Sequence, residues 1–447
     1  MKRIDNGTGI NGANYSSPDF SGQGKALYLN RKLNQYVNLP ESLNLTVNTS
    51  FTVGFWMFST GYNLATILTD CTAPSSACVQ FFIYSINVYA YTFNVYNENV
   101  AYLVKYDAWK VNYQSCWIHL AYKFDNRTRT LTIYFNGYPM ATGYFSPNYF
   151  ATNRTNTSQT YIGSNISSTD RDTFDGLIDQ LSISYYAKND SEILAEATLL
   201  CQYNFESDDI NIDSGPNFIP ASSQNVSRSI WNNQSSLLFN STDSYFQTSG
   251  FTFLMSSYYA FSIGFWLRPL MLYTNQSNTA MAILQLATRV QSISSEIYGC
   301  FLSIYIVNVT NSSQPYFQLG YPELNMYSDF FPYTVQNNTW VHVGVTYANG
   351  NQLTFYINGI NHGYINDSRF PLLLYNPRLA VTIGGSYFDD SVTVKPMNYE
   401  SRRCFAQTPQ YNYIQLYGDI DSLNIFARAL TNSEFQSLAR TKNATFQ

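Results

Sequence analysis

The sequence predicts an all-β protein of two tandem antiparallel sandwiches, each closed by a short helix. Tyr (39) and Phe (31) bring the aromatic fraction to 17 %, whereas charged residues reach only 12 %. This composition suits strands joined by polar turns, and it excludes disordered chains and coiled coils. One series of motifs also occurs twice in the same order along the 447 residues.

The repeated segments read, in order, as a core strand, further strands and a closing helix. The first copy returns in the second as follows: 51–56 (FTVGFW) as 261–266 (FSIGFW), 117–120 (WIHL) as 340–343 (WVHV), 131–137 (LTIYFNG) as 353–359 (LTFYING), 161–163 (YIG) as 382–384 (TIG), and 176–183 (GLIDQLSI) as 418–425 (GDIDSLNI). Alternating apolar residues predict strands, and the Asn-Gly pairs predict tight hairpins because both central residues need positive φ. Segments 191–196 and 431–435 have the pattern of short capped helices.

The repeat divides the chain into two domains. Its period of about 220 residues is too long for a solenoid and suits tandem domains. We place the boundary after the first closing helix, giving a first domain of residues 1–198 and a second of residues 199–447. Residues 199–205 (LLCQYNF) follow at once and predict the first strand of the second domain.

The order of these motifs resembles the laminin G-like branch of the concanavalin A-like lectin/glucanase fold. The resemblance covers nearly the whole chain, in two tandem copies. It implies two jelly-roll β-sandwiches, but it does not by itself choose a function, because such domains include lectins, receptors, adhesion modules and glycosidases.

The sequence favours a binding protein over an enzyme. Concanavalin-type glucanases carry a Glu-x-Asp-x-x-Glu strand that places two carboxylates across the sugar, and no such motif occurs. Glu192 and Glu196 are the closest Glu pair, but they lie on the predicted helix. His119 and His342 occupy equivalent strand positions after a Trp, where the family resemblance implies packing and hydrogen bonding. We therefore expect no catalytic residues.

Calcium is the one cofactor that the resemblance suggests, since laminin G-like domains often bind it at a loop rim through oxygen ligands. Asp5 and Asp213 begin matching Asp-Asn/Ser-Gly turns, and Asp179 and Asp421 lie at the matching Gly-x-Ile-Asp positions. Simple Asx turns and backbone hydrogen bonds are the alternative roles of these carboxylates.

Glycosylation sequons predict an extracellular protein, secreted or at the cell surface. The chain contains 18 Asn-x-Ser/Thr triplets, where composition alone would give about nine. We expect glycans on some or all of these asparagines: Asn6, Asn14, Asn44, Asn48, Asn126, Asn153, Asn156, Asn165, Asn189, Asn225, Asn233, Asn240, Asn275, Asn308, Asn311, Asn337, Asn366 and Asn443.

The six cysteines predict disulfide bonds in such a protein, because no zinc-type spacing occurs. Fifteen connectivities are possible. The expected pairs are Cys71–Cys78, Cys300–Cys404 and Cys116–Cys201.

The expected partners are extracellular glycans or proteins, or other copies of the chain. The net charge of −5 is spread thinly, and no apolar run is long enough for a bilayer, so neither nucleic acid nor membrane insertion is expected. Two functions fit these features: a structural or adhesive protein, which includes the subunit of a head-to-tail filament, and a calcium-dependent lectin. The first domain lacks a match to 199–205, and residues 443–447 fall opposite that strand when the closing helices are superposed in sequence. This suggests donation of a C-terminal strand to the next subunit; a segment of a longer domain array, or an edge strand that is absent, is the alternative.

Overall fold

A computed structural model shows an all-β protein with two compact units, Met1–Thr198 and Leu199–Gln447. The structure describes residues 7–17, 19–20, 24–39, 43, 45, 49–60, 65–72, 78–84, 87–92, 102–107, 117–144, 158–164, 173–249, 260–270, 279–291, 296–308, 315–321, 326–348, 352–366, 379–384 and 412–446. The predicted fold class, antiparallel sheets with short helices, is confirmed.

The first unit contains two seven-stranded sheets within the described residues. Its elements are β1 (Thr8–Ile10), β2 (Asn14–Ser16), β3 (Ala26–Leu29), the 3₁₀ turn η1 (Arg31–Leu33), β4 (Tyr36–Leu39), β5 (Phe51–Ser59), β6 (Ala65–Thr72), β7 (Cys78–Tyr84), β8 (Asn87–Thr92), β9 (Tyr102–Asp107), β10 (Trp117–Asp125), β11 (Thr130–Phe135), β12 (Tyr138–Tyr144), β13 (Ser158–Ile162), β14 (Gly176–Ser184) and α1 (Asp190–Thr198). The first sheet has the order β1-β4-β13-β6-β7-β8-β9, and the second has the order β12-β11-β10-β5-β14-β3-β2.

The second unit contains two eight-stranded sheets over the residues that are described. Its elements are β15 (Leu199–Tyr203), β16 (Ala221–Gln224), β17 (Val226–Trp231), β18 (Gln234–Phe239), β19 (Tyr245–Ser249), β20 (Phe261–Pro269), β21 (Thr279–Gln291), β22 (Glu296–Asn308), β23 (Tyr316–Tyr321), β24 (Met326–Thr334), β25 (Val341–Ala348), β26 (Gln352–Ile357), β27 (Ile360–Asn366), β28 (Leu379–Gly384), β29 (Asn412–Ile414), β30 (Gly418–Phe426) and α2 (Asn432–Phe446). The third sheet runs β17-β18-β30-β20-β25-β26-β27 with β15 beside β30, and the fourth runs β16-β19-β28-β21-β22-β23-β24 with β29 beside β21.

Each unit buries an apolar core between its two sheets. In the first unit, Phe81 of the first sheet stacks on Tyr122 of the second with ring centroids 4.0 Å apart. In the second unit, Phe317 and Phe355 join the fourth and third sheets at 5.6 Å. Period-two alternation directs these apolar side chains inward and leaves the other face of each strand for polar residues or a helix.

The Asn-Gly turns form as the sequence predicts. Asn136 and Gly137 link β11 to β12 with φ of 49° and 84°, and Asn358 and Gly359 link β26 to β27 with φ of 49° and 76°. Each Asn side chain also accepts the backbone N–H of the strand histidine, His119 or His342, at 2.9 Å. The turn residue therefore fixes the neighbouring strand as well as the hairpin.

Both closing helices begin with a reciprocal capping box. In α1, Asn189 Oδ1 accepts the Glu192 N–H at 2.8 Å, and Glu192 Oε2 accepts the Asn189 N–H at 2.7 Å. In α2, Thr431 and Glu434 make the same exchange. These pairs satisfy backbone donors that the first helical turn cannot satisfy itself.

The C-terminal segment differs from the expectation. Residues 443–447 were aligned with the first strand of the second unit, but α2 continues to Phe446, whereas α1 ends at Thr198. A strand donated by this segment is therefore a wrong prediction. The expectation assumed that α2 has the same length as α1, but α2 is longer.

The cysteines require one correction. Cys201 has a free, fully buried thiol, so the expected Cys116–Cys201 disulfide is wrong. The reason is local: β15 turns this side chain into the interior of its own unit near Tyr203 and Thr248, where burial raises the pKa of the thiol. Register places Cys71 directly opposite Cys78 in the β6–β7 pair, and the disulfide between them stays a prediction. Cys116 and Cys404 lie outside the described residues.

Candidate functional site

The two strand histidines are packing residues. His119 and His342 are buried and meet Trp56 and Trp266 edge-on, with ring centroids 5.4 and 5.3 Å apart. Burial lowers the pKa of each to about 3, with a further lowering at His119 from Lys188. Both imidazoles are therefore neutral at physiological pH and cannot exchange protons with a solvent-borne substrate.

The closest Glu pair also has structural roles. Glu192 completes the capping box of α1, and Glu196 forms an ion pair with the buried Lys188. Neither carboxylate faces the other across a cleft, which is the arrangement that glycoside hydrolysis requires.

Two of the four candidate calcium ligands, Asp213 and Asp179, accept hydrogen bonds from backbone amides. Asp213 Oδ1 accepts the N–H groups of Gln202 and Gly215 at 2.8 and 2.7 Å, and its Oδ2 accepts that of Ile219 at 2.9 Å. Burial raises the pKa of Asp213. With both oxygens engaged, this carboxylate fits the Asx-turn role and does not fit a calcium ligand, so no step is assigned to calcium.

Asp421, another calcium candidate, lies in the core of the second unit. Asp421 is fully buried and accepts a hydrogen bond from Ser422 Oγ at 3.3 Å, while Asp5 lies outside the described residues. Within the described part of the chain, no group of three or more His, Cys, Asp or Glu residues could hold a metal ion.

Asp179 gives a prediction for pH dependence. Its oxygens accept the N–H groups of Gln180 and Phe20 at 2.8 and 3.3 Å, and burial raises its pKa to about 6. Because the folded state holds this proton more tightly than the unfolded state, the contribution of Asp179 to stability falls as pH rises from about 4 to about 6, by at most ~3 kcal/mol. Urea unfolding of Asp179→Asn should show less loss of stability than the wild type over that interval, and parallel pH profiles would contradict this.

A row of polar and aromatic side chains crosses the outer face of the first sheet. Register aligns Asn38, Tyr161, Thr69 and Gln80 on adjacent strands β4, β13, β6 and β7. Their neighbours Val37 and Ile162 point into the core, so the row points away from it. Tyr36 lies two residues before Asn38 on β4 and therefore on the same face. Its ring meets that of Tyr161 edge-on, with ring centroids 5.7 Å apart.

This polar row has unused hydrogen-bonding capacity. Asn38 Oδ1 and Thr69 Oγ1 are buried atoms without a hydrogen-bond partner among the described residues. Tyr36, Asn38 and Tyr161 are half-buried, so the row is partly open to solvent. Aromatic rings beside amide and hydroxyl groups can contact the C–H face of a sugar ring and hydrogen-bond its hydroxyls.

The second unit has an equivalent row that is enclosed. Gln247, Thr382, Gln285 and Ser303 are aligned across β19, β28, β21 and β22, and each is at most 5 % exposed. Gln247 Nε2 donates to Thr382 Oγ1 at 2.8 Å. Polarity is thus kept at these positions in both units, and Tyr245 matches Tyr36, but the row of the second unit is enclosed and has Thr382 in place of Tyr161.

A cavity of about 550 Å³ is lined by residues that flank β1 and β4 in the sequence. Asn11 Nδ2 donates to the Asn34 carbonyl at 2.8 Å, which joins the turn after β1 to the turn after η1. Ile10 pairs with Tyr36, and two lining residues, Asn11 and Asn34, lie within two residues of this pair in the sequence. Its lining residues are Asn11, Arg31, Lys32, Leu33 and Asn34.

A buried ion pair in the second unit has no signal in the sequence. Arg268 Nη2 lies 2.6 Å from Asp419 Oδ2, and these side chains are 7 % and 0 % exposed. The Arg268 guanidinium carbon lies 4.1 Å from the ring centroid of Trp231 and 5.6 Å from that of Trp340. Ser236 Oγ donates to the second carboxylate oxygen at 3.1 Å. This enclosed cluster stabilises the third sheet and offers no access to a ligand.

The sequon asparagines whose side chains are described all lie at the surface. Two are half-buried, Asn126 and Asn308, and six are exposed: Asn14, Asn189, Asn225, Asn233, Asn240 and Asn337. This placement is compatible with glycan attachment. No helix in the described residues is both long enough and apolar enough to cross a membrane.

Comparison with known proteins supports the fold. A family model described as the concanavalin A-like lectin/glucanase superfamily matches residues 30–194 and 240–436. No curated protein sequence matches the chain.

Several solved structures are similar at low sequence identity. Domain 4 of AbnA, an extracellular arabinanase of Geobacillus stearothermophilus in complex with arabinotriose, is 18 % identical with a TM-score of 0.35, over 54 % of this chain and 98 % of that one. The sialidase CBM40 of Ruminococcus gnavus bound to α2,3-sialyllactose is 18 % identical with a TM-score of 0.29, over 33 % and 82 %. A pentraxin of Limulus polyphemus is 13 % identical with a TM-score of 0.29, over 36 % and 75 %.

Proposed function

The chain belongs to the concanavalin A-like lectin/glucanase superfamily, and we propose that it is a secreted, N-glycosylated protein that binds glycans rather than cleaving them. The polar row of the first unit carries this proposal, because it holds the half-buried rings of Tyr36 and Tyr161 edge-to-face beside the half-buried amide of Asn38. The neutral histidines and the engaged carboxylates of Glu192 and Glu196 are unsuited to acid–base catalysis of hydrolysis. Adhesion or matrix assembly is the role we propose for such binding.

The cavity lined by Asn11 and residues 31–34 favours acidic glycans among the ligands. Arg31 and Lys32 are part of its lining, together with two asparagines that can hydrogen-bond sugar hydroxyls. A carboxylate or sulfate on a sugar would gain charge-assisted hydrogen bonds there. Head-to-tail assembly through a donated C-terminal strand is not part of this proposal, since that segment is helical.

The test is a glycan array probed with the native protein and with Tyr161→Ala. We expect binding that the substitution weakens at least about tenfold, because it removes a ring of the size that sugar faces stack on. Tyr15→Ala is the matched control, since Tyr15 is 66 % exposed on β2 of the other sheet. Binding should persist with a calcium chelator. Equal loss in both variants, or no binding to any glycan, would reject the proposal.

Glycosylation and secretion have a separate test. Material from the native source should lose mass on treatment with an enzyme that removes N-glycans, and site mapping should find modified Asn225, Asn233 and Asn240, all of which are exposed. An unchanged mass would contradict secretion by this route without affecting the glycan-binding test.

A further inference from the structure

Three Asn-Gly turns lie within the described residues, and one of them differs from the other two in its surroundings. The turns at 11–12, 136–137 and 358–359 all have positive φ at both residues. The glycines of the last two turns are buried, whereas both residues of the first are exposed. The backbone is thus alike in the three turns, and the turn at 11–12 is the one that is open to solvent.

The closing helices hold the two buried turns in place. A Cβ on Gly137 would lie 2.9 Å from the Cα of Leu194 in α1, and a Cβ on Gly359 would lie 2.6 Å from the Cα of Gln436 in α2. The asparagine of each turn also accepts the backbone N–H of a strand histidine through Oδ1, at 2.9 Å in both units. A change of backbone conformation at either turn would therefore displace a helix and break that hydrogen bond.

The turn at 11–12 has no such cover. One backbone hydrogen bond closes it, from the Ala13 N–H to the Ile10 carbonyl at 3.2 Å, and the strands on either side, β1 and β2, have three residues each. Among the described residues, the atom nearest to a Cβ on its glycine would be Gln35 Nε2, at 3.6 Å. Exposed turns between short strands open at low free-energy cost, so this turn rearranges more readily than the two buried ones.

An Asn-Gly pair that can rearrange undergoes a reaction of its own. The backbone nitrogen of Gly12 attacks Cγ of Asn11 and closes a succinimide ring, while the side-chain nitrogen leaves as ammonia with the proton of the Gly12 N–H. Water then opens the ring at either carbonyl and leaves aspartate or isoaspartate. Glycine favours ring closure because it has no side chain to obstruct the attack. The reaction consumes water and needs no oxidant, reductant or enzyme.

Asn11 also lines the cavity described above, so the same reaction changes the charge of that cavity. Asn11 Nδ2 donates to the Asn34 carbonyl at 2.8 Å, and Gln35 Nε2 donates to the Asn11 carbonyl at 3.1 Å. A carboxylate at this position has no proton to donate, so it loses the bond to Asn34 and meets a carbonyl oxygen instead. It also adds a negative charge to a lining that includes Arg31 and Lys32, the cations available to an acidic glycan.

We propose that Asn11 is a deamidation site, and that its conversion to aspartate or isoaspartate switches off the binding of acidic glycans at this cavity. The switch rests on the proposed function, whereas the modification itself does not. Residues 11–13 (NGA) form no sequon, so a glycan is not expected to block the side-chain nitrogen. Because hydrolysis of the ring does not restore the amide, acidic-glycan binding declines with the age of each molecule.

The first test maps the modification in the full chain. The protein is incubated at body temperature and mildly alkaline pH, and its peptides are analysed by mass spectrometry at intervals. Loss of the side-chain amide should be at least about tenfold faster at Asn11 than at Asn136 or Asn358, because these two would have to displace a helix first. Equal rates at the three asparagines, or an unmodified Asn11, would overturn the proposal.

The second test compares fresh and aged protein on an array of carboxylated and sulfated glycans and their neutral parents. Ageing should lower the binding of acidic glycans in proportion to the modified fraction of Asn11, and fresh Asn11→Asp should bind them at least about tenfold more weakly than the unaltered chain. Binding of the neutral parents should not change. Asn11→Gln is the matched control, since its longer side chain does not close the succinimide ring, and its aged and fresh samples should bind equally.

Two array results would overturn the switch. The first is equal binding of acidic glycans by Asn11→Asp and the unaltered chain, and the second is an equal loss on ageing in Asn11→Gln. If the fresh protein binds no glycan, the proposed function and the switch both fail, whereas the peptide map still decides whether Asn11 is modified. Failure of the modification site is therefore distinguishable from failure of the proposed function.

Discussion

Replacing Asp419 with alanine should lower the free energy of unfolding of the second unit by about 3–5 kcal/mol. The carboxylate is fully buried and accepts two hydrogen bonds from Arg268, at 3.1 and 2.6 Å, and one from Ser236. Its removal leaves the Arg268 charge between Trp231 and Trp340 without a buried counter-charge, and desolvation of that charge is then uncompensated. Deuterium exchange of core amides in β30 measures the loss in this unit alone.

An exposed ion pair in the same unit provides the matched control. Asp208 lies 3.3 Å from Arg228 with its side chain fully solvated. Asp208→Ala should therefore leave stability nearly unchanged, because solvent screens such pairs. Equal effects of Asp208→Ala and Asp419→Ala would show that burial of the Arg268 pair contributes nothing.

Strands, hairpins and helices were predictable because each has a local signal. The FTVGFW and FSIGFW segments alternate as core strands do, and the Asn-Gly turns require positive φ at adjacent residues. These signals lie within a few residues of one another. They also repeat in both halves of the chain, which strengthens each of them.

The polar row was not predictable, since its members are distant in sequence. Asn38, Thr69 and Tyr161 meet only through strand register, which composition and motifs do not fix. The turn at Asp213 was predictable, but the backbone N–H groups that its carboxylate accepts depend on how β15 packs. Likewise, sequence alignment could not show that α2 continues past the length of α1.

Replacing Phe435 with alanine should destabilise the second unit by about 3–5 kcal/mol, the usual cost of deleting a buried aromatic ring. Phe435 is a fully buried residue of α2. Its ring stacks on that of Tyr356, with ring centroids 4.2 Å apart. Together with Leu430 and the partly buried Leu438, Phe435 packs the closing helix against Tyr356 of the third sheet. Exchange of core amides in β25 and β26 is the measurement, and a loss below about 1 kcal/mol would contradict the role of the ring.

In the first unit the helix residue at this position is smaller and the strand residue facing it is larger, which allows a sharper test. There, Ala121 and Ile193 pack against Tyr134, where the second unit has Gly344 and Phe435 against Tyr356. A Cβ on Gly344 would lie 2.4 Å from a ring carbon of Phe435, so Gly344→Ala alone should cost about 1–3 kcal/mol. Adding Phe435→Ile transplants the pair of the first unit and should recover most of that loss. Additive losses in the double variant would show that the two positions do not compensate each other's volume.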